Sequence, residues 1–318
     1  MQLFLPLNYE LLTTERKFLF GIAGFWIFFR HTIHLAGFTY WPLLYDIFNI
    51  GDAGVDVFLF LSGFGLFFSY SKNTLKNFYI KRFLRIIPTF LVFYVLHVLI
   101  KGNYEFKFNV FLKTLFFDYW YILFIIFAYC LYPFIYRGVK KGGVLFFIIC
   151  MILSSSFIIL DYITKGGSQL TVYASRVPIF IIGSLFADRK DMMNNGMILA
   201  VCLLIGICAL IIIPMDYKCF RRLFYLPLIL GLLPFLCRVS KAVPFSIKNG
   251  IEYIGDISLE FYLVHCLIMV TFIVPLYELF TSQTMTIVTI LGITAIISYL
   301  LRVLITPFTK YMSKLLIK

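Results

Sequence analysis

The stretch FGIAGFWIFFRHTIHL, residues 20–35, sets Arg30, His31 and His34 in a run that is otherwise almost wholly apolar. An imidazole is the one side chain whose ordinary pKa lies near neutrality, so a histidine in a wet channel can take a proton from a hydroxyl. The same ring can equally serve as a hydrogen-bonding contact between helices. His265, in SLEFYLVHCL, follows Tyr262 by three residues and Glu260 by five. The three-residue spacing places Tyr262 and His265 on one helical face, as a polar contact or as part of a site. KNFYIKRFLRIIP gathers Lys76, Lys81, Arg82 and Arg85. Arg82 and Arg85 project together from a helix, and a guanidinium pair suits phosphate, whether of a ligand or of a lipid headgroup. GDAGVDVFLFLSGFGLFFSY adds Asp56 and Ser62 among glycines. Small residues suit close helix packing, while Asp56, at a helix end, is placed to orient a histidine or to pair with an arginine such as Arg30.

The elements that hold these residues follow from composition. Of 318 residues, 62% are hydrophobic and only 14% charged, which excludes a soluble globular domain and places the chain in a bilayer. Apolar runs predict ten transmembrane helices at 18–37, 54–71, 86–100, 117–136, 143–160, 174–187, 196–213, 221–238, 257–279 and 284–308. The fold class is therefore all-α and polytopic, a single domain over residues 1–318 with no appended soluble domain and no cleavable signal peptide. With a cytoplasmic amino terminus, 18 lysines and arginines lie on the inner side against eight on the outer, Arg30 and Arg302 being inside spans. The positive-inside rule then puts both termini in the cytoplasm. The net charge of +13 is spread between spans, so it reports topology and not nucleic-acid binding. Seven cysteines without a C-x-x-C pair signal neither disulfides nor a metal site. An ionisable side chain inside a span costs a few kcal/mol, so His31, Arg176 and Asp56 are expected to face a cavity or a partner.

Taken together the motifs resemble the acyltransferase 3 family, integral membrane enzymes that acylate glycans. GDAGVDVFLFLSGF (51–64) resembles its G-V-D-x-F-F-x-x-S-G-F signature, and RFLR with the following IIP (82–88) its R-x-x-R and proline. WYILFIIFAYCLYP (120–133) is similar to W-Y-x-x-x-I-x-x-Y-x-x-x-P, RVPIFIIG (176–183) to R-x-P-x-F-x-x-G, and ISLEFYLVHCLI (257–268) to S-x-x-x-Y-L-x-H. The family's first helix carries an arginine, ten residues, then a histidine. FGIAGFWIFFRH makes His31 that histidine and puts Phe20 where the arginine belongs. Lys17, fourteen residues before His31 and within about 40° of its face, is the substitute cation that helical geometry offers; Arg16 is rotated further away.

The resemblance implies a membrane O-acyltransferase, most simply an O-acetyltransferase, moving an acyl group from cytoplasmic acyl-CoA (acetyl-CoA) to a hydroxyl of a surface or lipid-linked saccharide. His31 is then general base or transient acyl carrier, with Asp56 orienting it. Arg82, Arg85 and Lys17 hold the donor's phosphates. Ser62, Arg176, Tyr262 and His265 are further motif positions. No bound cofactor or metal is implied; the partners are acyl-CoA, a glycan or glycolipid acceptor and the lipid bilayer, without nucleic acid. The location is the cell membrane, as in a multi-pass protein of a bacterial cytoplasmic membrane. Two other readings fit the intramembrane charges: a transporter or flippase of a polar molecule or glycolipid, and a family member that has lost activity, with Phe20 as its sign.

Overall fold

The computed structural model describes residues 6–102, 108–164, 169–192, 194–214 and 217–317. Among them there is no strand, and fourteen α-helices follow in order. They are α1 (Tyr9–Thr14), α2 (Arg16–Ala36), α3 (Pro42–Asn49), α4 (Gly54–Ser71), α5 (Leu75–Lys101), α6 (Phe108–Lys113), α7 (Trp120–Ile163), α8 (Gln169–Asp188), α9 (Gly196–Ile212), α10 (Lys218–Leu223), α11 (Tyr225–Ala242), α12 (Phe245–Asp256), α13 (Ser258–Phe280) and α14 (Gln283–Leu316). Backbone polar groups have no water partner in lipid, so each span must satisfy its own hydrogen bonds, and only helices do so within one segment.

Among the described residues eight helices are long and apolar enough to cross a membrane: α2, α4 with the 3-10 turn before it, α5, α7, α8, α11, α13 and α14. The chain is thus an all-helical, polytopic membrane protein. Nine of the ten expected spans fall on these eight, two of them on α7, and the remaining one falls on the shorter α9. α7 runs for 44 residues, about twice what a bilayer needs. Gly143 within it has φ 52° and ψ −124°, a left-handed conformation that glycine tolerates, so one helix stops and another starts there. α9 carries the seventh expected span in 17 apolar residues. Residues 1–5 and 318, at the two termini, lie outside the described residues.

The contacts divide the chain into two compact units, the first comprising residues 1–23, 53–72 and 131–252 and the second 24–52, 73–130 and 253–318. In the first, α4 lies on α8 with backbones touching: a Cβ on Gly63 would sit 2.0 Å from the Phe180 carbonyl oxygen, and one on Gly183 2.2 Å from that of Phe60. Ser184 seals the contact by donating to the Gly63 carbonyl at 2.9 Å. Glu15, just before α2, accepts from Ser240 of α11 at 2.6 Å and from Lys248 of α12 at 2.8 Å. In the second unit α13 packs against both α5 and α14, and α5 against α14. The second half of α2 and the whole of α3 belong to this unit too, joined by the Trp26 indole N–H, which donates to the Ile47 carbonyl at 2.6 Å.

Candidate active site

Two polar clusters of the second unit lie along α13. At the first, the rings of His31 on α2 and His265 on α13 meet, with His31 Nδ1 3.0 Å from His265 Nε2. Apolar side chains set up this meeting. Phe28, one turn before His31, and Phe261, one turn before His265, have ring centroids 6.1 Å apart, and Phe261 lies parallel to the His265 ring at 5.7 Å. A Cβ at Gly24 would stand at ordinary contact distance from Phe261 and Ile254, 3.6 and 3.8 Å, so α2 already lies within van der Waals reach of both.

Hydrogen-bond accounting fixes the tautomers of two neutral rings. His265 Nδ1 lies 2.9 Å from the Phe261 carbonyl, an oxygen that can only accept, so Nδ1 carries the hydrogen. Its Nε2 is then a lone pair, and His31 Nδ1 must donate to it. The lone pair of His31 is left on Nε2, the nitrogen turned away from His265. A carbonyl, a histidine and a second histidine thus form a chain that orients and polarises one basic nitrogen. His265 is buried, and Tyr262 beside it is buried edge-on to His265 and to Tyr121, at 5.8 and 5.1 Å between centroids.

Cys266 was not singled out in the sequence. Its Sγ stands 3.4 Å from His265 Nε2, and the donor atoms of His31, His265 and Cys266 lie within 4.8 Å of one another. Two imidazoles and a thiol form a donor set that a soft cation such as Zn²⁺ accepts. The expectation of no metal came from cysteine spacing, which cannot register a trio split between positions 31 and 265–266.

Around His31, Arg30 donates to Asn49 Oδ1 at 2.6 Å and has the Asp52 carboxylate 3.8 Å away. Thr32 is buried, with its hydroxyl 2.6 Å from that of Tyr40 and donating to the Phe29 carbonyl at 2.7 Å. His34 is exposed.

The second place is the first turn of α13, where Glu260 is fully buried. Arg85 grips it with both terminal nitrogens, at 2.5 and 2.9 Å, and Arg302 of α14 approaches at 3.4 Å. Arg82, one turn before Arg85, stands over the Phe78 ring at 6.0 Å, and its Nε is buried with no hydrogen-bond partner among the described residues.

The remaining expected residues belong to the first unit. Asp56 and Arg176 are both almost fully buried and pair with each other, α4 to α8. This ion pair answers the cost of placing either charge in an apolar span, and Arg176 also lies over the Tyr225 ring at 5.8 Å. The ring that holds His31 in the second unit is that of His265. Ser62 is half-buried on α4, and Lys17 is exposed. Phe20 stacks on Phe58 at 5.3 Å, and the cation over its ring is Arg16, with Cζ 5.3 Å from the ring centroid and Nη2 donating to the Leu61 carbonyl at 3.3 Å. Rotation along the helix points to Lys17 as the substitute cation; at the Phe20 ring itself the cation is Arg16, whose long side chain reaches up one turn.

The sequence model of an acyltransferase domain family, Acyl_transf_3, matches residues 21–303. The chain belongs to the acyltransferase 3 family. Its activity is accordingly that of a membrane acyltransferase. The matched residues take in both histidines, Arg82, Arg85, Glu260 and the Asp56–Arg176 pair, and begin immediately after Phe20. No curated protein and no solved structure matches the chain significantly.

Proposed function

We propose that this acyltransferase is an O-acyltransferase, in the simplest case an O-acetyltransferase, which transfers the acyl group of cytoplasmic acyl-CoA to a hydroxyl of a surface or lipid-linked saccharide. The observation that supports this reading best is the His31–His265 pair. An acceptor hydroxyl facing His31 Nε2 gives up its proton to that nitrogen as its oxygen attacks the thioester carbonyl. The C–S bond then breaks and the departing thiolate takes a proton back. The nascent imidazolium of His31 keeps its Nδ1 hydrogen bond to His265, so proton transfer requires no rotation of the ring. The same free nitrogen is placed to carry the acyl group between two half-reactions.

The orientation of the donor rests on the distribution of charge. Eighteen of the lysines and arginines fall on the side of the termini against eight on the other, which favours a cytoplasmic location for the Arg82/Arg85 end of α5. Phosphates arriving from the cytoplasm meet guanidinium groups there, while the acceptor reaches His31 along the membrane.

Membrane vesicles containing the protein should transfer label from acetyl-CoA to a saccharide acceptor, and His31→Ala should abolish transfer. Acid quenching before acceptor is added distinguishes the two histidine chemistries, because only an acyl carrier leaves label on the protein. Vesicles that show no acyl-CoA-dependent labelling with any saccharide, yet flip a glycolipid, would rule the reading out.

A further inference from the structure

Two arginines converge on one carboxylate at the first turn of α13, and their exposure differs sharply from that of their partner. Glu260 has no exposed side-chain surface, whereas 35% of the Arg85 side chain and 38% of the Arg302 side chain remain exposed. Part of each arginine side chain therefore stays accessible beyond its bond to Glu260. The three charges leave a surplus of one positive charge, and Arg82, on the same face of α5 with a buried Nε that has no hydrogen-bond partner among the described residues, raises it. A solitary buried ion pair needs one arginine for one glutamate; a second arginine beside it repels the first unless an anion answers both. Glu260 also sits where the amides at the start of a helix favour a negative charge, so the carboxylate is a firm anchor on which both forks are aligned.

We propose that Arg302, together with Arg85, forms a phosphate seat aligned by Glu260, which takes a phosphate ester or diphosphate of the coenzyme A part of the donor. Arg302 and Glu260 lie outside the R-x-x-R motif, and neither was a candidate by sequence, since Arg302 is 217 residues from Arg85 in the chain. Arg302 binds the anion directly, and Glu260 is a positioning residue that holds the two planar forks in register. This proposal rests on the reading of acyl-CoA as donor. Anionic lipid headgroups share the phosphate chemistry, and the test separates them.

The experiment uses the full chain in nanodiscs of neutral lipid and of phosphatidylglycerol, measuring binding of coenzyme A, of phosphate-free acetyl-pantetheine and of inorganic pyrophosphate. Arg302→Gln should weaken coenzyme A binding about tenfold in either lipid while leaving acetyl-pantetheine binding and the thermal midpoint unchanged. Glu260→Gln should raise the KM for acyl-CoA more than it lowers kcat. Coenzyme A affinity indifferent to Arg302, an equal loss for the phosphate-free thioester, or an effect seen only as lost phosphatidylglycerol retention each overturns the seat. If pyrophosphate binds through Arg302 but coenzyme A does not bind at all, the seat stands and the acyl-CoA reading falls.

Discussion

His265 makes its strongest contribution through another residue. With Nδ1 committed to the Phe261 carbonyl, its Nε2 can only accept, and this holds His31 in the tautomer with a free Nε2. His265→Ala should therefore lower kcat on the order of 100-fold with little change in the KM for acyl donor, because His31 stays but its ring is free to present either nitrogen. Glutamine at 265 can place an amide oxygen near the lost Nε2, so His265→Gln should recover part of the rate where alanine does not. Equal losses in the two variants would reduce His265 to packing. His31 was legible in the sequence because a polar residue in an apolar run has to be explained, and so was Asp56. Which residue each one pairs with was not, although His265 and Arg176 were themselves motif positions. His265, Arg176, Glu260 and Arg302 each meet a residue more than forty positions away, and side-chain periodicity carries no information over such separations.

The α4–α8 contact is the most extensive helix pairing of the first unit, and it is built from absences of side chain. Gly63 faces the Phe180 carbonyl and Gly183 the Phe60 carbonyl, and neither backbone can retreat without separating the helices. Gly63→Ala and Gly183→Ala should each destabilise by about 1–3 kcal/mol. Gly292→Ala on α14, where nothing lies within 4 Å, should be neutral or slightly stabilising, and thermal unfolding in detergent compares the three. The same helices hold the Asp56–Arg176 pair. Asp56→Ala leaves a buried guanidinium without its carboxylate and should cost about 3–5 kcal/mol, whereas replacing both members by apolar residues should restore much of that loss. If the double variant unfolds no higher than Asp56→Ala, the loss does not come from the stranded guanidinium. The glycines could be read from the sequence as packing residues, but which helix each one faces could not, since α4 and α8 are separated by the whole of α5 to α7.

At the scale of the molecule the bilayer made the helices legible, because it fixes the length of a span and forbids irregular backbone within it. The polar stretch RGVKKGG was the exception: it was expected as a loop, yet helix continues to Gly143. Lys140 there pairs with Asp188 at 2.7 Å and lies over Phe67 at 5.1 Å, so tertiary partners replace the solvent that a loop would need. A second long-range tie gives stability a pH dependence. Glu15 connects the start of α2 to Ser240 and Lys248. Burial pushes its pKa up, but hydrogen bonds from Lys248 and Ser240 and the lysine charges prevail, and the carboxyl stays below its ordinary value of 4.5. A group with a lowered folded pKa stabilises fully above the unfolded value and stops doing so as the pH falls through the folded one. Lys248, raised chiefly by its bond to Glu15 and against burial, keeps its share until the pH climbs through its own folded value above 10.5. Glu15→Gln should therefore unfold at a lower temperature than wild type at pH 7, by about 1–3 kcal/mol, and the gap should close as the pH is taken below 4.5. Thermal unfolding of both proteins between pH 7 and pH 3 measures it. A gap that stayed constant across that range would mean that the Glu15 carboxylate contributes shape to the junction of α2, α11 and α12 and not charge.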